Sequence, residues 1–595
     1  MNLETLQRSQ AIVRLYNGSH AGIETISISK AWHGGRCRTT VTNHSQDTIH
    51  IQEVVLFSGP LALDLATAFY GDGFQMLSQT AGTLGEPVNI GAFTDHGHYK
   101  IPQQPGTLTA YNLVTLSPRP TEHILLAFTS CHRFSGLFRF GADWFEIVLD
   151  TEGMPLAPQE TWEMEEFLYL MGPERDTLLF DLAARIAHHH PRLTTSVVPT
   201  GWCSWYGYGP DISEQVIVEN MQAIATHIPN MTYIQIDDGY AQAMGDWLIP
   251  SPHFPHAIKE LCQQIRDQGF EPAIWVAPFI AEREAQIVKE HPDWFVKNDT
   301  GTPLLSSIIS FGGWRKGPWY MLDGTHPQVQ NHLEHLFRTI RKEWNCRYFK
   351  LDALTWGALH GGQRHDPSAT RIEAYRRGMR AIQRGTGSDS FILGCNAPLW
   401  PSLGLVHGMR TTGDIVRSWR VIASIARECF WRNWQHQQLW INDPDCVVLE
   451  NGGPDLPEEA GVLSVTDQTE VTADEFLFHA TAIYASGGMV FSGDKISHLS
   501  EDKRAILRKL LLPMGIAAQF DDTTFRIGRI HLAGSQVLCL FNWSDKPCDL
   551  EVPLPLAYRI SDYWTEEDLG SHKELLRFEH MPPHSARLLI CQLAQ

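Results

Sequence analysis

Tyr348-Phe349-Lys350-Leu351-Asp352 is an apolar run that closes on a lysine and an aspartate two residues apart. In an extended strand alternate side chains point the same way, so Lys350 and Asp352 share a face. A carboxylate kept ionised beside a fixed ammonium suits a covalent nucleophile. A second aspartate from another strand, such as the one closing Arg410-Thr411-Thr412-Gly413-Asp414, can serve as its acid/base partner. A lone Lys-x-Asp is weak evidence, because surface ion pairs of this kind are common. Its neighbours along the chain carry the reading.

Seven other short apolar runs accompany it between residues 197 and 510. They lie at Gly201 to Trp205, Tyr233 to Asp237, Pro272 to Ala277, Phe391 to Cys395, Gly408 to Arg410, Leu439 to Ile441 and Met489 to Phe491. Helical patterns such as Ser213 to Ile228 and His256 to Gln268 alternate with them, the signature of βα units. Eight units over about 310 residues fit a (β/α)8 TIM barrel with insertions better than an open sheet.

Either side of the barrel the texture is β. Upstream, Thr48 to Leu56, His123 to Phe128 and Trp144 to Leu149 are separated by Gly, Pro, Asn and Asp clusters, predicting a large sandwich over residues 1–175. Residues 176–196 read as a linker. Downstream, Gln536 to Trp543, Leu550 to Leu554 and Ala586 to Cys591 predict a small antiparallel β-sandwich over residues 511–595. The expected architecture is therefore multidomain, mixed α/β and β, which suits a chain of 595 residues.

The composition, 43% hydrophobic and 19% charged, is that of a globular protein, and the net charge of -20 argues against nucleic acid or an anionic membrane as partner. No secretory leader or spanning segment is evident, so a soluble, cytoplasmic location is expected. The 11 cysteines form no C-x-x-C pair, which points to buried thiols rather than a disulfide framework or zinc cluster. Of the 28 histidines, His188-His189-His190 stands out, but three in a row before Pro191 suit a helix end or a linker better than a ligand set. No metal or organic cofactor is expected.

Active sites in this barrel sit where strands end at their carboxyl side. Those ends carry Trp202 to Trp205, Asp237-Asp238, Trp275, Lys350 and Asp352, Cys395-Asn396, Arg410 and Asp414, and Asp443 with Asp445. Carboxylates and amides for hydroxyls, with aromatic faces for a ring's C–H side, are what a sugar requires. Some of these have structural alternatives. Asp237-Asp238-Gly239 has turn and capping chemistry, as has Asn442-Asp443-Pro444-Asp445, Cys395 has the character of a core thiol, and one of Trp202 and Trp205 is expected in barrel packing.

The ordered series Gly201-Trp202-Cys203-Ser204-Trp205, Ile236-Asp237-Asp238-Gly239-Tyr240 with Gly245-Asp246-Trp247, Phe349-Lys350-Leu351-Asp352 and Arg410-x-x-x-Asp414 resembles the α-galactosidases (melibiases) of glycoside hydrolase family 36, clan D. The resemblance implies that Asp352 is the nucleophile and Asp414 the acid/base. It further implies that Lys350, Asp237 and Asp238 hold the C3, C4 and C6 hydroxyls, that Arg410 approaches C2, and that Trp202, Trp275 and Cys395, with Asn396 beside it, line the ring. The implied outcome is hydrolysis of a terminal α-galactoside with retention. The implied partner is a small oligosaccharide or glycoside, with homo-oligomerisation left open. Two departures bear on specificity. Trp275-Val276-Ala277-Pro278-Phe279 replaces the family's Glu-Pro-Glu segment, and Ala353-Leu354-Thr355-Trp356 replaces Met-Asn-Arg after the nucleophile. Ala397 as room for a C2 acetamido group suggests an α-N-acetylgalactosaminidase as alternative. Trp314, Trp319 and Trp356 as an acceptor platform suggest galactosyl transfer. A catalytically silent carbohydrate-binding protein on the same fold is the alternative from another class.

Overall fold

The computed structural model describes residues 2–22, 24–454 and 469–594. Its centre is an eight-stranded parallel sheet. In chain order the strands are β1 (Thr200–Cys203), β2 (Tyr233–Ile236), β3 (Glu271–Val276), β4 (Tyr348–Leu351), β5 (Phe391–Gly394), β6 (Gly408–Arg410), β7 (Ile441–Asp443) and β8 (Val490–Ser492). Neighbours in sequence are neighbours in space from β1 to β7, and β8 returns to pair with β1. The Met489 amide donates to the Asn442 carbonyl at 2.9 Å, bringing the two edges together into a nearly closed barrel.

All eight expected runs are strands, with one shift of register. The seventh strand is Ile441–Asp443, not Leu439 to Ile441. Gly408 pairs with Ile441 and Arg410 with Asp443, and Pro444, lacking an N–H, ends the ladder there. Asp443 therefore belongs to the strand and only Asp445, at φ +75°, to the turn after it.

The two-residue period of a strand stacks the interior in layers. Tyr233, Tyr348, Phe391 and Phe491 meet at the amino end, with ring centroids 4.9 Å apart for Tyr233–Tyr348 and 5.1 Å for Tyr348–Phe391. These rings take the space that side chains at Gly201 and Gly408 would need. A Cβ there would sit 2.9 Å from Phe491 and 2.8 Å from Phe391 respectively. Two residues further along, the same faces carry Gln235 and Lys350, and two further again Asp237 and Asp352. An apolar plug thus sits below and a polar floor above it, as the alternation demands.

The amino-terminal part packs a five-stranded on a nine-stranded antiparallel sheet. Val41, Val54, Phe128, Phe138, Phe145 and Phe167 are buried between them. The five-stranded sheet turns Val55, Leu137 and Val148 outward into the core shared with the barrel. The carboxyl-terminal part has six antiparallel strands in one hydrogen-bonded series. Its strand Cys548–Asp562 pairs with Ala586–Leu593 only from Tyr558 onward. The earlier half folds across to enclose Leu538, Leu540, Leu550 and Val552 in a small core of its own. The opposite face of Ser535–Phe541 presents Phe541 to Phe478 of the barrel helix Ala473–Ser486, 5.0 Å between centroids.

Arg432 joins the amino-terminal sheet to the barrel. It follows the helix Trp419–Trp431, is fully buried, and uses every N–H it has. Nε and Nη2 donate to Asp72 Oδ1 at 3.0 and 2.9 Å, Nη2 to the Ser78 carbonyl at 3.1 Å, and Nη1 to the carbonyls of Thr411, at 2.8 Å, and Met76. Removing one member of such a pair strands a buried charge. Arg432→Met is therefore expected to cost about 3–5 kcal/mol in a urea unfolding titration, and a loss under 1 kcal/mol would show that the pair is dispensable.

Candidate active site

Above the polar floor the strand ends enclose a cavity with an empty volume of about 720 Å³. Asp237, Asp238, Trp275, Lys350, Asp352, Cys395, Asn396 and Asp414 line it, side by side as the strand-end argument predicts. Trp202 and Arg410 do not. Trp202 is buried, its indole donating to the Asp494 carbonyl at 2.8 Å, and the neighbouring Trp205 takes the cavity wall instead. Arg410 is boxed in behind the wall by three carboxylates. Nε meets Asp443 at 3.0 Å, Nη2 meets Asp445 at 2.8 Å and Nη1 meets Asp414 Oδ1 at 3.1 Å. A guanidinium so engaged orients Asp414 from outside the cavity lining.

Lys350 lies 2.9 Å from Asp237 Oδ2, with both side chains buried. The sequence places this ammonium beside Asp352; its ion pair is with Asp237 instead. Burial works against the Lys350 charge, but Asp237 outweighs it and holds the ammonium well above its ordinary range. Asp237 also accepts from Gln235 Nε2 at 2.8 Å and the Cys203 thiol at 3.4 Å, so one oxygen is saturated and its orientation is fixed. Asp238 is held by a two-pronged contact from Arg315, Nε at 3.1 Å and Nη2 at 2.7 Å. Burial pushes its carboxyl up, and Arg315 opposes this. Arg315 sits on the long insertion between β3 and β4, and the strand-end argument does not reach it.

Asp352 follows β4. Its Oδ2 accepts the Trp275 indole N–H at 3.0 Å and its Oδ1 the amide of Ala353 at 2.6 Å. Ala353 adopts φ +52°, turning its amide back onto the carboxylate. Burial raises the Asp352 carboxyl, Lys350 draws it down and the charge of Asp414 raises it again. Its net displacement is upward, the opposite of what a neighbouring ammonium alone predicts. Asp414 is about half exposed, its Oδ1 shared by Arg410 and by the Tyr206 hydroxyl at 3.2 Å. Tyr206 donates also to Asp445 at 2.6 Å.

Part of the wall comes from the amino-terminal sandwich. Met76, Leu77, Phe93 and His98 reach the cavity, and His98 is stacked between Phe93 and Phe311 at 4.1 and 3.8 Å. Burial drives the imidazole down to about 3, so the ring is neutral and serves as an aromatic surface. These residues carry no signal in the sequence, since apolar side chains in a distant sheet look like core. Ala397 is buried and not on the wall, and its carbonyl accepts the Met76 amide at 3.0 Å. Of the three tryptophans considered as a platform, Trp314 lines the cavity, while Trp319 and Trp356 are buried behind it. His190 ends the helix Arg175–His189, accepting the Cys131 amide at 2.9 Å, its ring tilted against His132 at 4.3 Å between centroids. Among the described residues no group of three His, Cys, Asp or Glu side chains is gathered to hold a metal ion, and no helix is long and apolar enough to cross a membrane.

The family model described as Melibiase matches residues 190–377, the segment that carries the first half of the barrel. Solved structures agree on the fold. An alpha-galactosidase from Thermus thermophilus, in complex with p-nitrophenyl alpha-D-galactopyranoside, superposes with a TM-score of 0.62 at 19% identity, over 89% of this chain and 97% of that one. The GH36 alpha-galactosidase AgaA from Geobacillus stearothermophilus superposes with a TM-score of 0.67 at 11% identity, over 98% and 89%. The chain thus resembles the family 36 α-galactosidases through its whole length in fold. In sequence the likeness is more local. The Myogenesis-regulating glycosidase of Mus musculus is 29% identical over 153 residues, 26% of this chain, and the chain spans only 20% of the length of that relative.

Proposed function

We propose that this protein is a retaining exo-α-galactosidase. The observation that carries the reading is the ordered ring of Asp237, Asp238, Lys350, Asp352 and Asp414 around one cavity at the carboxyl ends of the strands. Its support from relatives is that alpha-galactosidases share the fold and the barrel-domain family.

In the proposed reaction an Asp352 oxygen attacks C1 of the galactosyl unit while Asp414 gives its proton to the departing glycosidic oxygen. A galactosyl-aspartate ester results. Asp414, now a carboxylate, takes a proton from water as that water attacks C1 and frees Asp352, and two inversions restore the α configuration. Lys350 and the two aspartates receive the ring hydroxyls, with Trp275 and Trp205 beside the C–H face. The half-exposed position of Asp414 leaves room for the aglycone and then for water. The apolar belt of Met76, Phe93, His98, Phe311 and Trp314 gives the mouth the character of a site for neutral sugars.

Initial rates on nitrophenyl α-galactoside, α-N-acetylgalactosaminide, α-glucoside and β-galactoside, with proton NMR of the first sugar released, test this. The expected result is preference for the α-galactoside with α-galactose appearing first. Release of β-galactose would remove the double displacement, and a dominant acetamido substrate would replace the sugar. Transfer to sugar acceptors in place of hydrolysis would replace the reaction.

A further inference from the structure

Asp414 sits between two amides that are each captured by a buried carboxylate. On one side the Ile415 amide donates to Asp445 Oδ2 at 2.7 Å, and on the other the Gly413 amide donates to Glu428 Oε2 at 2.8 Å. Asp445 belongs to the strand-end cluster already described. Glu428 does not: it lies on the helix Trp419–Trp431, away from the cavity wall, and is 1% exposed. Its second oxygen accepts the Ser424 hydroxyl one helical turn earlier, at 3.2 Å, which fixes the side-chain rotamer. A carboxylate buried among apolar neighbours is costly, and a helix facing a core has no packing need for one. What it gains here is a hydrogen bond to one particular peptide N–H.

We propose that Glu428 is a positioning residue for the acid/base, holding the Thr412–Gly413 peptide, next before Asp414, so that the Asp414 carboxyl meets the glycosidic oxygen. The inference rests on Asp414 being that acid/base. The Thr412 hydroxyl donates to the Gly413 carbonyl at 3.0 Å, so Glu428 is the side chain that takes the Gly413 N–H. Gly413 has no side chain, and the Ala92 methyl of the amino-terminal sandwich stands so near that a Cβ at this position would lie 2.7 Å from it. The backbone is thus pressed from the sandwich side and pulled by Glu428 from the helix side. Arg432, four residues along the same helix face, holds the Thr411 carbonyl at 2.8 Å, so one helix fixes the segment at two points. Glu428 touches neither the nucleophile nor the sugar-binding aspartates, so its loss is expected to fall on proton transfer alone.

Proton transfer has a kinetic signature distinct from general damage. A leaving group that departs as a stable anion needs no proton, whereas a sugar or alkyl leaving group does. For Glu428→Ala, kcat/KM on raffinose is expected to fall roughly 30- to 100-fold, the scale of an ångström-sized misplacement. On 2,4-dinitrophenyl α-galactoside it should stay within about threefold, because that step is uncatalysed by acid. Should Glu428→Ala not accumulate as folded protein, Glu428→Asp keeps the carboxyl group but withdraws the oxygen by one methylene, and the same split is expected of it. Glu428→Gln retains an acceptor for the Gly413 amide and is expected to recover most of the raffinose activity. Equal losses on both substrates, or none on either, would overturn the proposal. Asp414→Ala run alongside separates the two levels. If it lacks the leaving-group split, the acid/base reading itself fails; if it shows the split and the Glu428 variants do not, only the positioning role fails.

Discussion

Asp352→Ala is expected to lower kcat on nitrophenyl α-galactoside by about 10⁴-fold or more, the loss seen when a nucleophile that works in concert with a partner is removed. The side chain is held at both oxygens, by the Trp275 indole and the Ala353 amide, so truncation leaves a void at a fixed place. Azide can enter that void. In the Asp352→Ala variant it would attack C1 from the nucleophile's side and yield β-galactosyl azide, a single inversion. In Asp414→Ala the ester still forms, and azide in the place of water yields α-galactosyl azide. The two products assign the two roles independently of rate. Wild-type activity in Asp352→Ala, or the same azide anomer from both variants, would remove the assignment.

The second large effect concerns pH. Seven histidines are held neutral by burial: His98 at about 3, His190 at about 2, and His332, His360, His407, His436 and His479 at about 4. The unfolded chain protonates these rings near 6.5, so it binds more protons than the folded one below that pH, and stability is lost as pH falls from about 6.5 toward 4. Buried carboxyls act in the other direction, Asp150, Asp238, Asp352 and Asp494 among them. Asp95 and Asp445 at about 6, Glu152 and Glu428 at about 7, stay protonated in the fold where the unfolded chain is ionised, so they contribute stability toward the acid side. The histidine displacements are the larger, so stability is expected to fall as pH drops from about 6.5 toward 4. Denaturant unfolding between pH 4 and 7 reads that slope, and a flat or inverted profile would show the carboxyls in control.

The barrel could be read from the chain because strand alternation leaves a local trace. Tyr348, Lys350 and Asp352 announce one face by spacing alone, and the same spacing repeats at Tyr233, Gln235 and Asp237. Where side chains end up beyond the strand is a different matter. Arg410 and Trp202 sit at strand ends as expected, yet one is surrounded by carboxylates and the other is tied to the Asp494 carbonyl, and only three-dimensional neighbours decide that. Lys350 bonds across the barrel to Asp237 rather than along its own strand, which spacing within one strand does not encode. Arg315, His98 and Glu428 arrive from an insertion, from another sheet and from a helix interior, each among residues that look unremarkable in the primary structure.

The Arg432 junction has a consequence for inheritance. By holding Asp72, Met76 and Ser78 of one part and Thr411 of the other, a single guanidinium makes the amino-terminal sandwich a co-owner of the cavity. The barrel of this lineage cannot be traded onto a foreign sandwich as a finished module, because Met76, Leu77, Phe93 and His98 would stay behind with the old one. New specificities at the mouth are open to substitutions in a part of the chain that contributes no catalytic carboxylate.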